Sequence, residues 1–539
     1  MTYRRPALAL LTAAGLAVLF AGYLRLSSTV MVGSDGGTIT LQAWDMLHGN
    51  VLLHGWALSD VSFYTTELPE YALVVRLNGL SPEVVHIAGA LTYTILVLLA
   101  ALVAKGKSTG REGTARVLIA AGIMLAPAPG FGTSTLLLSP DHYGSTVPVL
   151  LAWLVVDRCS ASSSGGKPSP RTPLGYVPVA VGAILAWGLV ADPLVEVTGV
   201  TPLVLVCGIR AAQRARRSEP WAWEVSLAVA AIAAIGVSAL VSLLIHAAGG
   251  FVTSPVQTGF AGFAALPHNA FLAGQGFLLL FGASFIGGQP ANMLFSVLHL
   301  AGVGLVAAAL VVGLGRLFRR EDLCWPAGGR PPAPPENLVV PLLATGIVLN
   351  IALYVVGRYP MDPLSTREIS AVLPLGAALA GQVLAAPLLR ARIFPVLGAV
   401  VLTGYALSLA VYSSQPRVPA LHQDLAGWLV AQHLTAGLAT SYWLANITTV
   451  DSGGQARVRW VSALDGAVTR PPEWETRAQW YEPGTNSADF LVTDATPGSA
   501  AWRSALAAAR GTFGQPVSIR RYRQYTVISW KHNVLPFLH

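Results

Sequence analysis

The sequence is poor in charged residues and nearly free of cysteine. Only 11% of its 539 residues are Asp, Glu, Lys or Arg, whereas 53% are hydrophobic, and the mean hydropathy is +0.58. Soluble domains carry about 25% charged residues, so this composition excludes an ordinary soluble protein. The three cysteines, Cys159, Cys207 and Cys324, are too scattered along the chain for a disulfide framework or a metal cluster.

The formal net charge of +8 does not indicate nucleic-acid binding. Lys and Arg concentrate in short loops between apolar runs, as in 105–116 and 210–217. In a membrane protein such loops determine the orientation of the helices that flank them. We therefore predict membrane lipids as partners and no nucleic acid.

Apolar runs long enough to cross a bilayer recur along residues 1–413. The first, about Pro6–Tyr23, follows a basic N-terminus and lacks a small-x-small cleavage site, which predicts an uncleaved helix that starts in the cytoplasm. The alternation of basic loops predicts about eleven transmembrane helices, with Phe271–Phe285 as a re-entrant or interfacial helix. This pattern is typical of a multi-pass protein of the inner (plasma) membrane.

The composition changes after Ser413. Charged residues become more frequent, apolar runs shorten, and segments such as Ala500–Ala509 and Val517–Trp530 show helical and strand patterns respectively. Residues 414–539 are predicted to form a small α/β domain of ordinary size, which an odd number of spans places outside the cytoplasm. The predicted fold is a polytopic α-helical membrane domain, 1–413, followed by this extracytoplasmic domain.

An acidic segment, Gly33–Glu83, separates the first two apolar runs. It contains six Asp and Glu residues and a single arginine, Arg76. Asp35 lies near its start, between glycines, at the water–lipid boundary, where ionisable groups are costly and tend to be functional. Asp35 is either a general base toward an acceptor hydroxyl, with anchoring of a metal or sugar as a variant, or the cap of a helix that begins near Thr38.

Further candidates lie in loops on the same predicted side. Asp141 and His142 would add a second carboxylate and an imidazole to that surface, unless they form only a polar turn. Glu67 and Glu70 could line the same cleft, with a solvated loop face as the alternative for at least one of them. His54 is a candidate substrate contact or an interfacial residue. No histidine spacing matches a zinc site, and a divalent metal ion stays open as a cofactor.

Two arginines, Arg358 and Arg367, flank a later outer loop. A guanidinium group binds phosphate bidentately and keeps its charge, which suits a phosphate-bearing substrate; the alternative is snorkelling toward lipid head groups. Seven of the fourteen tryptophans follow Ser413. They could stack on sugar faces, with core packing or interface contact as the alternative.

This arrangement resembles the membrane-embedded glycosyltransferases of the GT-C superfamily, which include protein O-mannosyltransferases, lipid A aminoarabinose transferases and actinobacterial arabinosyltransferases. The resemblance covers 1–413 by topology. Asp35 matches the acid after the first helix, Asp141 the acid of the second loop, and Arg358 or Arg367 the phosphate-binding residue. It implies transfer of a sugar from a polyprenyl-phosphate donor to an extracytoplasmic glycan, lipid or protein acceptor. The first loop lacks the adjacent Asp-Glu pair of the protein O-mannosyltransferases, which argues against a protein acceptor.

Two other classes compete with this interpretation. A transporter or flippase for a lipid-linked glycan would carry charged or broken helices near the bilayer midplane and paired internal repeats, whereas here the polar groups cluster in outer loops and no repeat is evident. A membrane scaffold that only displays the C-terminal domain would place no functional requirement on Asp35. The Ala-, Gly- and Arg-rich composition is typical of a high-GC actinobacterium.

Overall fold

The computed structural model describes residues 4–138, 140, 142–159, 175–255, 259–285, 290–318, 338–391, 394–464 and 466–538. Helices form most of this part of the chain, and most of the strands lie near its C-terminus. The helices are α1 Arg4–Ser27, α2 Ser34–Leu47, α3 Glu67–Asn78, α4 Glu83–Lys105, α5 Gly110–Ile123, α6 Phe131–Leu137, α7 Thr146–Cys159, α8 Tyr176–Ala191, α9 Thr201–Arg216, α10 Ala222–Ala247, α11 Leu266–Leu280, α12 Pro290–Phe318, α13 Val339–Val356, α14 Val372–Arg390, α15 Phe394–Ser413, α16 Gln423–Ala431, α17 Tyr442–Asp451 and α18 Ala500–Phe513. The strands are β1 Trp56–Leu58, β2 Val252–Thr253, β3 Ala436–Ala439, β4 Arg457–Trp460, β5 Ser462–Leu464, β6 Ala467–Thr469, β7 Thr476–Arg477, β8 Phe490–Thr493, β9 Ser518–Tyr522 and β10 Tyr525–Ser529.

The chain is a multi-pass membrane protein. Eight of the described helices are long and apolar enough to cross a bilayer. They are Ala9–Ser27, Glu83–Lys105, Ala222–Ala247, Phe263–Leu280, Asn292–Arg316, Val339–Val356, Val372–Arg390 and Pro395–Ser413. The expected number of about eleven spans also counts shorter apolar helices, such as α8, and stays a prediction.

The first and last helices of the bundle run in the same direction. Gly22 in α1 lies against Leu409 in α15, and beyond both helices the Val418 N–H donates to the Ser28 carbonyl at 2.9 Å. The C-terminal ends of α1 and α15 are therefore neighbours. If α1 and α15 both span the membrane, they cross it in the same direction. The number of membrane crossings from α1 to α15, with both included, is then odd.

The predicted re-entrant or interfacial helix corresponds to α11. Near its start, Asn269 Nδ2 donates to the carbonyls of Val355 and Gly357, at the C-terminal end of α13, at 2.9 and 3.0 Å. Just past its end, Phe281 packs against Gly376, in the second turn of α14. Because α13 ends where α14 begins, both ends of α11 lie near one face of the bundle. This geometry favours the interfacial interpretation, although the helix is long enough to span.

The Gly33–Glu83 segment is more regular than a loop. It contains two helices, α2 and α3, and the short strand β1. The first helix, expected at Pro6–Tyr23, extends to Ser27, so that only six residues separate it from α2. The segment is therefore a folded layer on the end of the bundle, with a hydrophobic core of its own that includes Trp56 and Tyr71.

The C-terminal region has the predicted α/β character. Its sheet has the order β4-β3-β8-β10-β9, in which β3 runs parallel to β4 and β8, and β10 runs antiparallel to β8 and β9. The inner strands β3, β8 and β10 are buried along their whole length, whereas the edge strand β9 alternates and carries Arg520 and Arg521, a common protection of a sheet edge. The proposed boundary at 413/414 stays a prediction.

The C-terminal domain docks on the Gly33–Glu83 segment. Helix α17 packs on α2, and a Cβ atom at Gly37 would lie 3.1 Å from the Ile447 Cα. Strand β1 pairs with β7 from the domain and with β2 from the α10–α11 connection, which forms a three-stranded sheet from three remote parts of the chain. Beside this sheet, Asp45 accepts from Arg477 Nη1 at 2.7 Å.

Because of this docking, we expect α2 and the C-terminal domain to be exposed to the same side of the membrane. After replacement of the native cysteines, a membrane-impermeant maleimide applied to sealed vesicles of one orientation should label Leu47→Cys and Glu482→Cys together. Lys107→Cys, past the far end of α4, serves as the control and should be labelled only after permeabilisation or from the other orientation. Opposite labelling of Leu47→Cys and Glu482→Cys would contradict the parallel arrangement of α1 and α15.

Candidate active site

A cavity of about 340 Å³ lies where the Gly33–Glu83 segment, the C-terminal domain and the loops at one end of the bundle meet. Its wall combines carboxyl groups, two basic groups and aromatic rings. The lining residues with polar or aromatic side chains include Asp35, Asp60, His142, Tyr359, Arg367, Glu368, Tyr442, Trp443, Trp474 and Glu475. Concave sites with few convergent polar groups are the usual location of binding and catalysis.

Asp35 lies on the cavity wall in the first turn of α2. The helix begins at Ser34 rather than near Thr38, and its N-cap residue is Gly33, so the capping role considered for Asp35 is wrong. The helix dipole favours a carboxylate in the first turn. The Oδ1 atom of Asp35 accepts from the Tyr442 hydroxyl at 2.8 Å, and its Oδ2 atom lies 3.8 Å from Arg367 Nη1.

Tyr442, the first residue of α17, connects Asp35 to the C-terminal domain. Its hydroxyl also lies 3.4 Å from Thr38 Oγ1, and its backbone carbonyl accepts from Ser34 Oγ at 2.8 Å. Burial, with the nearby Glu475 and Asp35 carboxyl groups, raises the pKa of the Tyr442 phenol well above its usual value. The phenol therefore keeps its proton and donates to Asp35.

Glu475 brings a second carboxyl group from the C-terminal domain. It precedes β7, and its Oε1 accepts from the Ser59 N–H, just after β1, at 3.1 Å. Burial, together with the Asp35 carboxylate, raises the pKa of Glu475 to about 8. Near neutral pH this side chain therefore stays mainly protonated, and it avoids a second full negative charge beside Asp35.

His142 is held between two carboxylates. Its Nδ1 lies 2.8 Å from Asp192 Oδ2 and its Nε2 lies 3.1 Å from Glu368 Oε2. Burial alone would lower the pKa of His142, but Asp192 and Glu368 outweigh it and raise that pKa well above the usual value. Both ring nitrogens can then donate. Asp192 is fully buried and also accepts from the Leu194 N–H at 2.8 Å.

The same network sets the charges of the neighbouring acids. Burial tends to raise the pKa of Glu368, but His142 and Arg367 lower it, and the net shift is downward. The pKa of Asp60 is raised, mainly by burial, although His142 opposes the shift. Arg367 Nε lies 3.6 Å from Glu368 Oε1, so this arginine stands between two carboxylates, those of Asp35 and Glu368.

Of the residues predicted from sequence, Asp35, His142 and Arg367 meet at this cavity. Asp141 lies outside the described residues. Arg358 does not line the cavity: its Nε donates to the Phe260 carbonyl at 3.2 Å. His54 is also outside the lining and exposed, with its Nδ1 2.6 Å from the Gly249 carbonyl oxygen.

Glu67 and Glu70 do not line the cavity. Glu67 is 2% exposed and accepts from the Thr66 hydroxyl, so it does not lie on a solvated face. Glu70 Oε2 accepts from Thr92 Oγ1 at 2.7 Å. Burial raises the pKa of Glu67 to about 8 and that of Glu70 to about 7.

Sequence reasoning missed Asp192, Glu368, Tyr442, Glu475 and Asp60. Two of these carried a signal, because Asp192 precedes a proline at an outer turn and Glu368 adjoins Arg367. Tyr442 and Glu475 reach the site only through the docking of the C-terminal domain. In the part of the chain that the structure describes, no three His, Cys, Asp or Glu residues form a group that could hold a metal ion.

Removal of the His142 imidazole should destabilise the fold, because it leaves the buried Asp192 carboxylate without its counter-charge. For His142→Ala we expect the free energy of unfolding to fall by about 3 kcal/mol, as is typical when one partner of a buried ion pair is removed. The measurement is the apparent Tm in detergent. His142→Ala combined with Asp192→Asn should recover part of the loss, and the exposed His48→Ala should show none. An unchanged Tm for His142→Ala would exclude this role.

Comparison with known proteins shows a likeness of fold. No protein-family model and no curated protein matches the chain. ArnT from Cupriavidus metallidurans in the apo state matches with a TM-score of 0.53 and 14% identity, over 98% of this chain and 99% of that one. ArnT bound to undecaprenyl phosphate matches with a TM-score of 0.41 and 14% identity, over 97% and 98% of the chains. The apo Archaeoglobus fulgidus oligosaccharyltransferase matches with a TM-score of 0.45 and 13% identity, over 83% of this chain and 64% of that one.

These identities are too low to transfer a function, but the first match extends over nearly the whole of both chains. The chain therefore has an ArnT-like fold, and the polytopic helical membrane architecture with a small C-terminal α/β region that the sequence predicts is confirmed.

Proposed function

We propose that this protein is a membrane glycosyltransferase that moves a sugar from a polyprenyl-phosphate donor to the hydroxyl group of an extracytoplasmic acceptor. The observation that carries the proposal is the meeting of Asp35 and Arg367 at one cavity, on a GT-C fold. A carboxylate can accept the proton of a hydroxyl nucleophile, and a guanidinium can hold a phosphate. Transfer from a phosphate-linked donor needs both groups within reach of one substrate.

In the proposed reaction Asp35 acts as the general base. The acceptor hydroxyl oxygen forms a bond to the anomeric carbon of the sugar, and its proton passes to the Asp35 carboxylate. The bond between that carbon and the phosphate oxygen breaks, and its electron pair leaves with polyprenyl phosphate. The Tyr442 hydroxyl, which donates to Asp35 Oδ1 at 2.8 Å, fixes the orientation of the base.

Of the two candidate arginines, Arg367 is proposed to hold the donor phosphate. Its side chain is 45% exposed and lies on the cavity wall. Arg358 lies outside that wall, and part of its guanidinium is engaged by the Phe260 carbonyl. Because the departing phosphate gains charge as the bond breaks, a fixed cation beside it favours the transition state over the bound substrate.

The cavity is proposed to face the extracytoplasmic side of the plasma membrane. The basic stretches 105–116 and 210–217 lie at the C-terminal ends of α4 and α9, away from the cavity, and basic segments at the ends of membrane helices stay in the cytoplasm. The N-terminus would then be cytoplasmic and the C-terminal domain extracytoplasmic. A lipid-borne donor reaches such a site from within the bilayer, and its acceptor approaches from the aqueous side.

Replacement of the base should abolish transfer without loss of the fold. For Asp35→Asn we expect transfer from a polyprenyl-phosphate sugar to fall about a hundredfold to ten-thousandfold, measured as release of polyprenyl phosphate by purified enzyme. Binding of undecaprenyl phosphate should persist. Glu83→Gln removes an exposed carboxyl group outside the cavity lining and serves as the matched control. Near-wild-type transfer by Asp35→Asn would exclude Asp35 as the base.

The phosphate-binding role separates the two arginines. Arg367→Lys keeps the charge but loses the planar fork, so binding of undecaprenyl phosphate should weaken by about tenfold, which corresponds to roughly 1.4 kcal/mol. Arg358→Lys is the matched control and should bind as wild type does. Equal binding by the two variants, or a loss confined to Arg358→Lys, would remove Arg367 from the donor site.

A further inference from the structure

Two tryptophans of the C-terminal domain lie on the cavity wall with their side chains in solvent. Trp443 is 58% exposed and Trp474 is 38% exposed, and both line the cavity that contains Asp35. Scattered exposed apolar side chains are common and need no explanation. Here, however, two large aromatic side chains converge on one concave site beside a set of polar groups, as in a ligand-binding pocket.

The backbone around both rings is fixed. The carbonyl of Trp443 lies 3.1 Å from His422 Nε2, and its ring meets the Tyr442 ring edge-on, with centroids 5.2 Å apart. The N–H of Trp474 donates to the Pro472 carbonyl at 2.7 Å, and the carbonyl of the neighbouring Glu473 accepts from the Ser254 hydroxyl at 3.2 Å. The rings are thus attached to anchored chain, so a ligand would lose little free energy in ordering this backbone.

The charges of the wall argue against an anionic ligand at these rings. Of the two cations on this wall, His142 lies between the carboxylates of Asp192 and Glu368. We assign the other, Arg367, to the donor phosphate, so neither is available to an anion at the indoles. Four carboxyl groups also line the cavity. Carboxyl groups exchange hydrogen bonds readily with hydroxyl groups. A ligand with many hydroxyl groups and an apolar C–H face matches both features of the wall, because its face can pack on an indole ring while its edge meets the acids.

We infer that Trp443 and Trp474 form the acceptor subsite, and that the acceptor is a neutral carbohydrate whose ring packs on these indoles. This rests on the proposed glycosyl transfer and names its acceptor class. In this arrangement the C-terminal domain selects the acceptor and presents its hydroxyl to Asp35, whereas the membrane domain supplies the donor site. An anionic lipid acceptor would instead need basic side chains beside the two indoles to pair with its charge.

The subsite can be tested by direct binding. The full-length protein is placed in phospholipid nanodiscs, free of sugar-based detergent, and titrated with the neutral trisaccharides of mannose, arabinose and glucose, with trigalacturonic acid as the anionic comparator. At least one neutral trisaccharide should bind, and Trp443→Ala or Trp474→Ala should weaken it about tenfold or more. Trp443→Phe and Trp474→Phe should retain most of the affinity. Trp44→Ala, which removes an exposed tryptophan of α2 outside the cavity lining, should change nothing.

The same samples separate this inference from the proposed function. Undecaprenyl phosphate binding and acceptor-free hydrolysis of a polyprenyl-phosphate sugar are measured on the wild-type protein, because the proposed function predicts both and the acceptor subsite requires neither. Absence of neutral-sugar binding, tighter binding of trigalacturonic acid, or unaltered sugar affinity in both alanine variants would overturn the acceptor subsite even where donor turnover is intact. Sugar binding that depends on both tryptophans, in a wild-type protein that turns over no donor, would support the subsite and overturn the glycosyl transfer.

Discussion

The close contact between α2 and α17 is the interaction on which the candidate site depends. The absence of a side chain at Gly37 lets the Ile447 backbone approach, and Asn446 Nδ2 donates to Thr38 Oγ1 at 2.9 Å within the contact. This approach brings Tyr442 to Asp35. A larger residue at 37 would separate the helices and leave the Asp35 carboxylate without its phenol donor. A packing requirement on one face of α2 therefore fixes the geometry of the polar face beside it.

Charge compensation is the second constraint. A carboxylate with no exposed surface, such as Asp192, is stable only beside a cation or strong donors. His142 supplies the cation beside Asp192, and its other ring nitrogen pairs with Glu368. Glu368 in turn lies beside Arg367. The series alternates in sign and ends at Asp35. The acids on either side of the Arg367 guanidinium therefore help to fix its position, in addition to the backbone that carries it.

The residues that sequence reasoning found are those whose signal is local. Asp35, His142 and Arg367 follow or precede apolar runs, and the alternating basic loops assign such positions to one side of the membrane. Tyr442 and Glu475 carried no signal, because they reach the cavity through a docking contact that no periodicity encodes. The sequence suggests a helix only from near Thr38, because the glycine-rich stretch before it is typical of a turn. Helix α2 begins at Ser34, since burial against α17 outweighs the low helix propensity of Gly36 and Gly37. The α/β pattern after Ser413, which needs only local alternation, was recognised.

The pairing of β1 with β7 bears on the order of synthesis. Arg477 follows its partner Asp45 by 432 residues, so at ordinary translation rates of about 5–20 residues per second the first half of this contact waits for tens of seconds. During that interval β1 presents an unpaired edge, and α2 has no α17 to cover it. The last quarter of the chain completes a structure begun by the first tenth. A nascent or prematurely terminated protein therefore carries Asp35 without the assembled cavity, so the proposed sugar transfer would begin only after the C-terminal domain has docked.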